Sequence, residues 1–257
     1  RRASAIALGQ MQAKQAQMAL LQTLNDPNFY VRRAAINAIG KLNIPDLGPV
    51  LLPLLDNPDS RIRRTVVTAL RRLRTRAAIP KLVSLLEDYN TSPNQRDLPV
   101  VKTIVVALGD LRAKEAVPIL IRVVRSYVGV RSLSANALGQ IGDPQAGPVL
   151  VEALEDKSTN LRLAALKSLG RLHYEEAARA VRQFLFSSDP RMRRVAALTV
   201  GQLGDVDSVP VLLKMARSDP CPMVRPAAVE ALALTGDATL LSDLLPLAED
   251  TNAYLRA

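Results

Sequence analysis

Few residues of the sequence belong to the types that perform catalysis or bind metal ions. The 257 residues include one histidine, His173, and one cysteine, Cys221, which lies between Pro220 and Pro222. A metal site of histidine and carboxylate needs several converging ligands, and an activated thiol needs a base beside it. We therefore expect no metal, no catalytic residues and no enzyme acting alone. A single cysteine also excludes an internal disulfide framework and predicts a reducing, cytoplasmic location.

Arginine and lysine are the residues most able to give this chain a function, because they bind anionic groups. The formal net charge is +10, and the isoelectric point is near 10.2. Residues 1–128 contain 20 basic and 9 acidic side chains, net +11, whereas residues 129–257 contain 14 and 15, net −1. Residues 60–86 contain eight basic side chains and no acidic one. This distribution predicts an acidic partner for the amino-terminal half.

The arginines recur because the chain is built from an internal repeat. The decapeptide 31–40, Val-Arg-Arg-Ala-Ala-Ile-Asn-Ala-Ile-Gly, returns in varied form at 130–139 and 161–170. Its final glycine has equivalents at positions 9, 109, 139, 170 and 201, and Arg71 and Ala233 occupy the same place in two further copies. Eight copies follow one another at about 31 residues, with one longer spacing of 38. A period of this length is typical of solenoid proteins.

Each copy has the pattern of two helices. Val31, Ala34, Ala35, Ala38 and Ile39 recur at the spacing that places them on one helix face. A second apolar stretch follows the glycine position, and in five copies a proline lies in its first turn, at Pro49, Pro80, Pro118, Pro148 and Pro210. The sequence thus predicts an all-α fold, a right-handed α-solenoid of about eight two-helix repeats. We expect a single solenoid over 1–257, truncated at both ends, with a polar loop inserted at 87–99.

One arginine column has a recurrence that predicts a structural role. It lies eight residues before each glycine position and is interrupted at Val101. These arginines are expected to pair with turn aspartates such as Asp26, Asp156 and Asp219 and so to link neighbouring repeats as a ladder. The ladder residues are Arg32, Arg63, Arg131, Arg162, Arg193 and Arg225.

Other positions of the second helix vary between copies and are expected to face outward, on a concave surface. They lie seven and three residues before the glycine position and one residue after it. Their basic members cluster in the first four copies, which predicts a partner-binding face there. We call these basic residues, together with Asn37 of the same helix, the basic face: Arg2, Arg33, Asn37, Lys41, Arg64, Arg72 and Lys102.

The pattern Val-Arg-x-x-Ala-Ala-x-x-Leu-Gly, followed by Gly-Asp and Ala-x-x-Pro-x-Leu, resembles the short HEAT repeats of the phycobilisome-lyase type over residues 1–257. The resemblance implies a solenoid and is compatible with several functions. The first is a non-catalytic scaffold that binds an acidic protein and needs no cofactor. The second is a phycobilin lyase-like or phycobilisome-associated chaperone role, which would involve a bilin. The third is sequence-independent nucleic-acid binding.

Overall fold

The computed structural model describes residues 1–91, 97–126 and 129–235, together with residues 240 and 242. The elements within these residues are α-helices and short 3-10 helices, and no β-strand occurs among them. The expected all-α repeat fold is thus confirmed. No helix in the described part of the chain is long and apolar enough to cross a membrane. The chain divides into two compact units, Arg1–Ala137 and Leu138–Ala257.

The first unit consists of two-helix hairpins, and the helix that carries the recurring glycine position is the second helix of each. Polar side chains cap two of the second helices: Asn28 accepts hydrogen bonds from the Tyr30 and Val31 amides, and Asp59 accepts one from the Arg61 amide. Such caps satisfy amides that lack a partner inside the helix. The helices are α1 (Arg2–Gln10), α2 (Gln17–Thr23), α3 (Phe29–Lys41), α4 (Gly48–Leu51), α5 (Ser60–Arg72), α6 (Ile79–Thr91), α7 (Leu98–Asp110), α8 (Val117–Ser126) and α9 (Arg131–Ile141), which ends beyond Ala137.

The second helices α1, α3, α5 and α7 pack against one another in chain order. The recurring glycine marks the contact. A Cβ atom added to Gly9 would lie 2.6 Å from the Cα of Ala38, and one added to Gly40 would lie 2.8 Å from the Cα of Ala69. These distances leave no room for a side chain, so the glycines allow neighbouring second helices to approach closely.

The core between the helices is aliphatic, in agreement with an aromatic content of 3%. Leucine, isoleucine, valine and alanine fill it, and the residues that have the same place in successive repeats are buried alike. Large, fully buried side chains of the first unit include Leu20, Ile36, Ile39, Leu42, Leu51, Leu55, Ile62, Leu70, Leu73, Ile79, Leu82 and Leu86.

The structure corrects the boundaries of the polar loop expected at 87–99. Helix α6 continues through residues 87–91, and α7 already begins at Leu98. The extension of α6 is held because Tyr89 is half-buried and its hydroxyl accepts a hydrogen bond from Arg63 Nε at 3.1 Å. Residues 92–96 of the predicted loop lie outside the described residues.

The second unit repeats the same hairpin. Ser158 and Asp189 cap two of its second helices through their side chains. Buried alanine, leucine and valine again form the core. The helices that begin in this unit are α10 (Gly147–Glu152), α11 (Thr159–Leu172), α12 (Ala178–Arg182), α13 (Pro190–Gln202), α14 (Val209–Ser218) and α15 (Arg225–Leu234).

The Gly-Asp pairs of the second unit end the second helices, as their sequence indicates. Gly142 and Gly204 have φ angles of +78° and +67°, which glycine adopts without strain. Asp143 then caps the following turn through its side chain. Asp205 makes no such cap, because its carboxylate instead accepts a hydrogen bond from Arg182 at 3.0 Å.

Candidate functional site

The recurring ladder arginines donate hydrogen bonds to the turn that precedes their own helix. Arg32 Nη1 donates to the carbonyl oxygens of Asp26 and Pro27, at 2.9 Å each. A guanidinium bond to these carbonyls fixes the turn between the two helices of a hairpin. Arg63, Arg131, Arg162, Arg193 and Arg225 likewise donate to carbonyls five to seven residues upstream.

Some arginines of this column also reach a carboxylate of the next hairpin. The described pairs are Arg1–Asp26 at 2.8 Å, Arg63–Asp97 at 2.6 Å and Arg193–Asp219 at 2.8 Å. The main-chain carbonyl oxygen of Asp156 accepts a hydrogen bond from Arg162 Nη1 at 3.0 Å. Val101, which interrupts the column, is buried in the core. The arginines of the column thus lie at the start of second helices, and their guanidinium groups bind the preceding turns and, in the described pairs, an aspartate of the next hairpin.

Asp219 shows the electrostatics of such a link. Burial by itself would raise the pKa of its carboxyl group, but hydrogen bonds from Arg193 and from the Cys221 amide outweigh that effect, and the pKa is lowered. The pKa of the Arg193 guanidinium is raised by its hydrogen bonds to Asp219. Both groups are therefore charged at neutral pH.

The residues of the basic face lie on the second helices α1, α3, α5 and α7, which pack side by side. Arg33 and Asn37 are half-buried, and the other five are exposed. The structure brings most of the set together around one cavity of about 320 Å³ in the first unit. Five of the seven residues line it: Arg2, Arg33, Asn37, Lys41 and Arg72.

Apolar and aromatic side chains complete the wall of this cavity. Ile6, Ala34 and Ala38 contribute apolar surface, and Tyr30, a residue that is 52% exposed, contributes its aromatic ring. Arg64 also belongs to the basic face but lies outside the lining, as does Lys102. The cavity is therefore a cationic site with an apolar wall.

Two adjacent aromatic rings orient the arginines around the cavity. The Arg2 guanidinium lies 5.6 Å from the Tyr30 ring centroid, and Arg33 lies 5.8 Å from that of Phe29. Arg61 covers Phe29 at 4.3 Å and pairs with Asp59, whose pKa is lowered to about 2 chiefly by the hydrogen bond from Arg61. Cation–π contacts of this kind restrict a guanidinium without occupying its N–H donors.

Phe29 and Tyr30 were not among the site residues predicted from the sequence. The available signal was their position: two consecutive aromatic residues, in a chain with three Phe and five Tyr, at the start of a second helix. The contact of the Tyr30 ring with Arg2 was not predictable, because Arg2 belongs to α1 and is brought close by the packing of α1 on α3.

The cations of the cavity retain their hydrogen-bonding capacity. Within the part of the chain that the structure describes, Arg2, Arg33, Lys41 and Arg72 form no ion pair. By contrast, the neighbouring Arg71 donates to Asp110 at 3.0 Å. The unpaired donors can bind an anion without first breaking an internal contact.

His173 and Cys221 occupy structural positions in the second unit. His173 ends α11 in the left-handed conformation, with φ 49°, and its Nδ1 lies 2.8 Å from the Gln202 carbonyl oxygen. Cys221 is half-buried, and its amide donates to Asp219 at 2.8 Å. Among the described residues, no group of three or more His, Cys, Asp or Glu is arranged to hold a metal ion.

The sequence profile of a family described as HEAT repeats matches the whole chain in overlapping segments. The matched segments are residues 1–55, 17–98, 48–128, 94–161, 126–193, 147–233 and 179–257. No curated protein sequence matches the chain.

Solved structures with the same fold come from several kinds of protein. The CpcE–CpcF complex of phycocyanin lyase from Nostoc sp. PCC7120 is 24% identical, with 92% of this chain and 88% of that one covered at a TM-score of 0.50. Escherichia coli YibA is 17% identical, with 97% and 93% covered and a TM-score of 0.63. Kap95p, in a structure that describes its binding to RanGDP, is 14% identical, with 98% and 41% covered and a TM-score of 0.65. At these identities the likeness establishes the fold.

Proposed function

The chain belongs to the HEAT-repeat family, and from this premise we propose that it is a protein-interaction scaffold whose basic face binds an acidic surface of a partner protein. Solenoids present long surfaces made of equivalent positions of successive repeats, and such surfaces suit an extended partner. Two proteins of the same fold take part in protein complexes, CpcE with CpcF and Kap95p with RanGDP. Membership of the family thus supports a scaffold role, and the positive charge of the basic face indicates that the partner surface is acidic.

The observation that carries this proposal is the set of unpaired cations around the cavity of the first unit. The ladder arginines of the same helices are engaged with turn carbonyls and carboxylates. Arg2, Arg33, Lys41 and Arg72 differ from them in having no ion pair with any described residue. Uncompensated like charges repel one another, so a bound anionic surface would stabilise this arrangement.

A binding measurement with a defined acidic probe tests the proposal. Fluorescence anisotropy would follow a labelled oligoglutamate peptide and a single-stranded DNA of equal charge, each titrated with the full chain. We expect the peptide to bind more tightly than the DNA. Reversing Arg33, Arg64 and Arg72 to Glu should weaken peptide binding at least about tenfold, because the attractive charges become repulsive.

The matched control reverses three exposed cations of the second unit, Lys157→Glu, Arg179→Glu and Lys214→Glu, for the same change in net charge. This variant should bind the peptide as the wild type does. Equal loss in both variants would reduce the effect to net charge and overturn the assignment of the basic face. Tighter binding of the DNA at matched charge would instead support nucleic-acid binding.

A further inference from the structure

The cavity of the basic face has a charge density that distinguishes among anions. Arg2, Arg33, Lys41 and Arg72 all line a space of about 320 Å³, and Asn37 adds a side-chain amide. No acidic residue is present in this lining. A single carboxylate would neutralise one of four cations, whereas a doubly charged group with more acceptor oxygens would satisfy two or more.

The apolar part of the wall strengthens this preference. Ile6, Ala34 and Ala38 line the same space, and Ala34 and Ala38 are buried. Apolar surface lowers the local dielectric constant and so increases the attraction between an anion and the surrounding guanidinium groups. The size of the cavity lies near the lower end of the range of small-ligand sites, about 300–1,000 Å³.

Two of the four cations around the cavity, Arg2 and Arg33, are also preorganised by ring contacts. Tyr30 and Phe29 pack edge to face with their centroids 5.2 Å apart, and the guanidinium groups of Arg2 and Arg33 lie over these rings. Arginine side chains that are held in place lose less conformational freedom when a ligand binds. Planar guanidinium groups match the geometry of phosphate oxygens, to which they can donate two bonds at once.

We propose that this cavity binds a phosphorylated side chain of the acidic partner, an inference that rests on the proposed scaffold function. A phosphomonoester carries a charge of about −1.5 to −2 at neutral pH and three acceptor oxygens, so it neutralises more of the four cations than a carboxylate does. Arg64 and Lys102 extend the basic face along α5 and α7 beyond the cavity, where they would contact acidic residues next to the phosphorylated one. This continuation favours a peptide over a free phosphate compound.

Three versions of one short, labelled acidic peptide test the inference with the full chain. The central residue is serine, glutamate or phosphoserine, and binding is followed by fluorescence anisotropy at fixed ionic strength. The phosphoserine peptide should bind about tenfold more tightly than the glutamate peptide, because it adds charge-assisted hydrogen bonds. Its advantage should decrease from about pH 7 to pH 5, since the second phosphate pKa is about 6.

Single substitutions separate the cavity from the rest of the basic face. Arg33→Gln should reduce the preference for phosphoserine to less than about threefold. Arg64→Gln should weaken binding of the glutamate and phosphoserine peptides by the same factor, because Arg64 lies outside the cavity lining. The preference for phosphoserine should stay unchanged. Arg179→Gln, in the second unit, should change neither the peptide affinities nor the preference for phosphoserine. Circular dichroism would verify that each variant is folded.

The outcomes distinguish this inference from the proposed function. Equal binding of the glutamate and phosphoserine peptides would overturn the phosphate inference while the acidic-partner proposal stands. Failure of all three peptides to bind would overturn both. Free phosphoserine that competes as effectively as the phosphopeptide would overturn the peptide assignment, because the cavity would then recognise a small phosphomonoester alone.

Discussion

Arg191 and Arg193 lie two residues apart at the start of α13, yet their guanidinium groups have opposite environments. Arg193 is 14% exposed and pairs with Asp219, which is 3% exposed, whereas Arg191 is 71% exposed and pairs with Asp189. Removal of one partner of a buried ion pair leaves an uncompensated charge. Arg193 is therefore a structural arginine and Arg191 a surface arginine of the same helix.

We predict that Arg193→Ala lowers the free energy of unfolding by about 3 kcal/mol, because Asp219 then loses its charged partner in a buried site. Arg191→Ala should lower it by less than about 1 kcal/mol, since an exposed pair contributes little. Urea unfolding followed by circular dichroism at neutral pH measures both. Equal losses would contradict the structural role of the arginine column.

The lowered pKa of Asp219 predicts how stability depends on pH. A carboxyl group whose pKa is lower in the folded chain stabilises it fully above its ordinary value of 3.8, and the contribution is lost as pH falls through the folded value. Arg193→Ala should therefore lose less stability than the wild type between about pH 5 and pH 2. Arg179→Ala provides the control with unchanged pH dependence. Urea midpoints across this range are the measurement, and parallel curves for wild type and Arg193→Ala would contradict the assignment.

At the scale of the helices, close approach at the glycine positions holds successive repeats together. Gly40 of α3 faces the backbone of Ala69 in α5, and an added Cβ atom would lie 2.8 Å from the Ala69 Cα. We predict that Gly40→Ala destabilises the chain by roughly 1–3 kcal/mol, although alanine is the better helix former, because the two helices must separate.

The adjacent Lys41→Ala provides the control for this substitution. Lys41 is exposed and forms no ion pair with a described residue, so its removal should change stability by less than about 0.5 kcal/mol. Thermal and urea unfolding of the two variants would be compared with the wild type. A stabilised Gly40→Ala would show that helix propensity, and not helix contact, decides the residue at this position.

The helices could be predicted from the sequence because the same spacing occurs in eight copies. Apolar period, recurring proline and recurring glycine all indicate one hairpin, and the described helices agree with that interpretation. The loop expected at 87–99 was too long at both ends. Its residues are mostly polar, which led to the prediction of a loop. The contact between Tyr89 and Arg63 that continues α6 joins positions 26 residues apart, and a local sequence pattern does not contain such a contact.

The candidate site was predictable to a smaller extent. Helical spacing placed Arg2 and Arg33 in one outward column of the repeat and Lys41 and Arg72 in another, and the structure brings all four around one cavity. The contribution of Tyr30 could not be predicted, because it depends on the distance between α1 and α3. That distance is set by the contact of Gly9 with Ala38, a property of packing.

At the scale of the whole molecule, charge is distributed unevenly along the chain. Residues 1–128 have a net charge of +11, and residues 129–257 have a net charge of −1. Attraction between exposed charges is screened at physiological ionic strength over about 8 Å. A partner bound by the basic face should therefore dissociate as salt is raised, and its binding should depend on cations of the first unit.

The most direct measurement is the capture of partner proteins from nuclease-treated native lysate with three forms of the full chain. These are the wild type, the variant with Arg33, Arg64 and Arg72 changed to Glu, and the control with Lys157, Arg179 and Lys214 changed to Glu. The proposed function predicts an acidic protein that is captured by the wild type and the control and lost from the basic-face variant. An identical set of captured proteins for all three forms would contradict it.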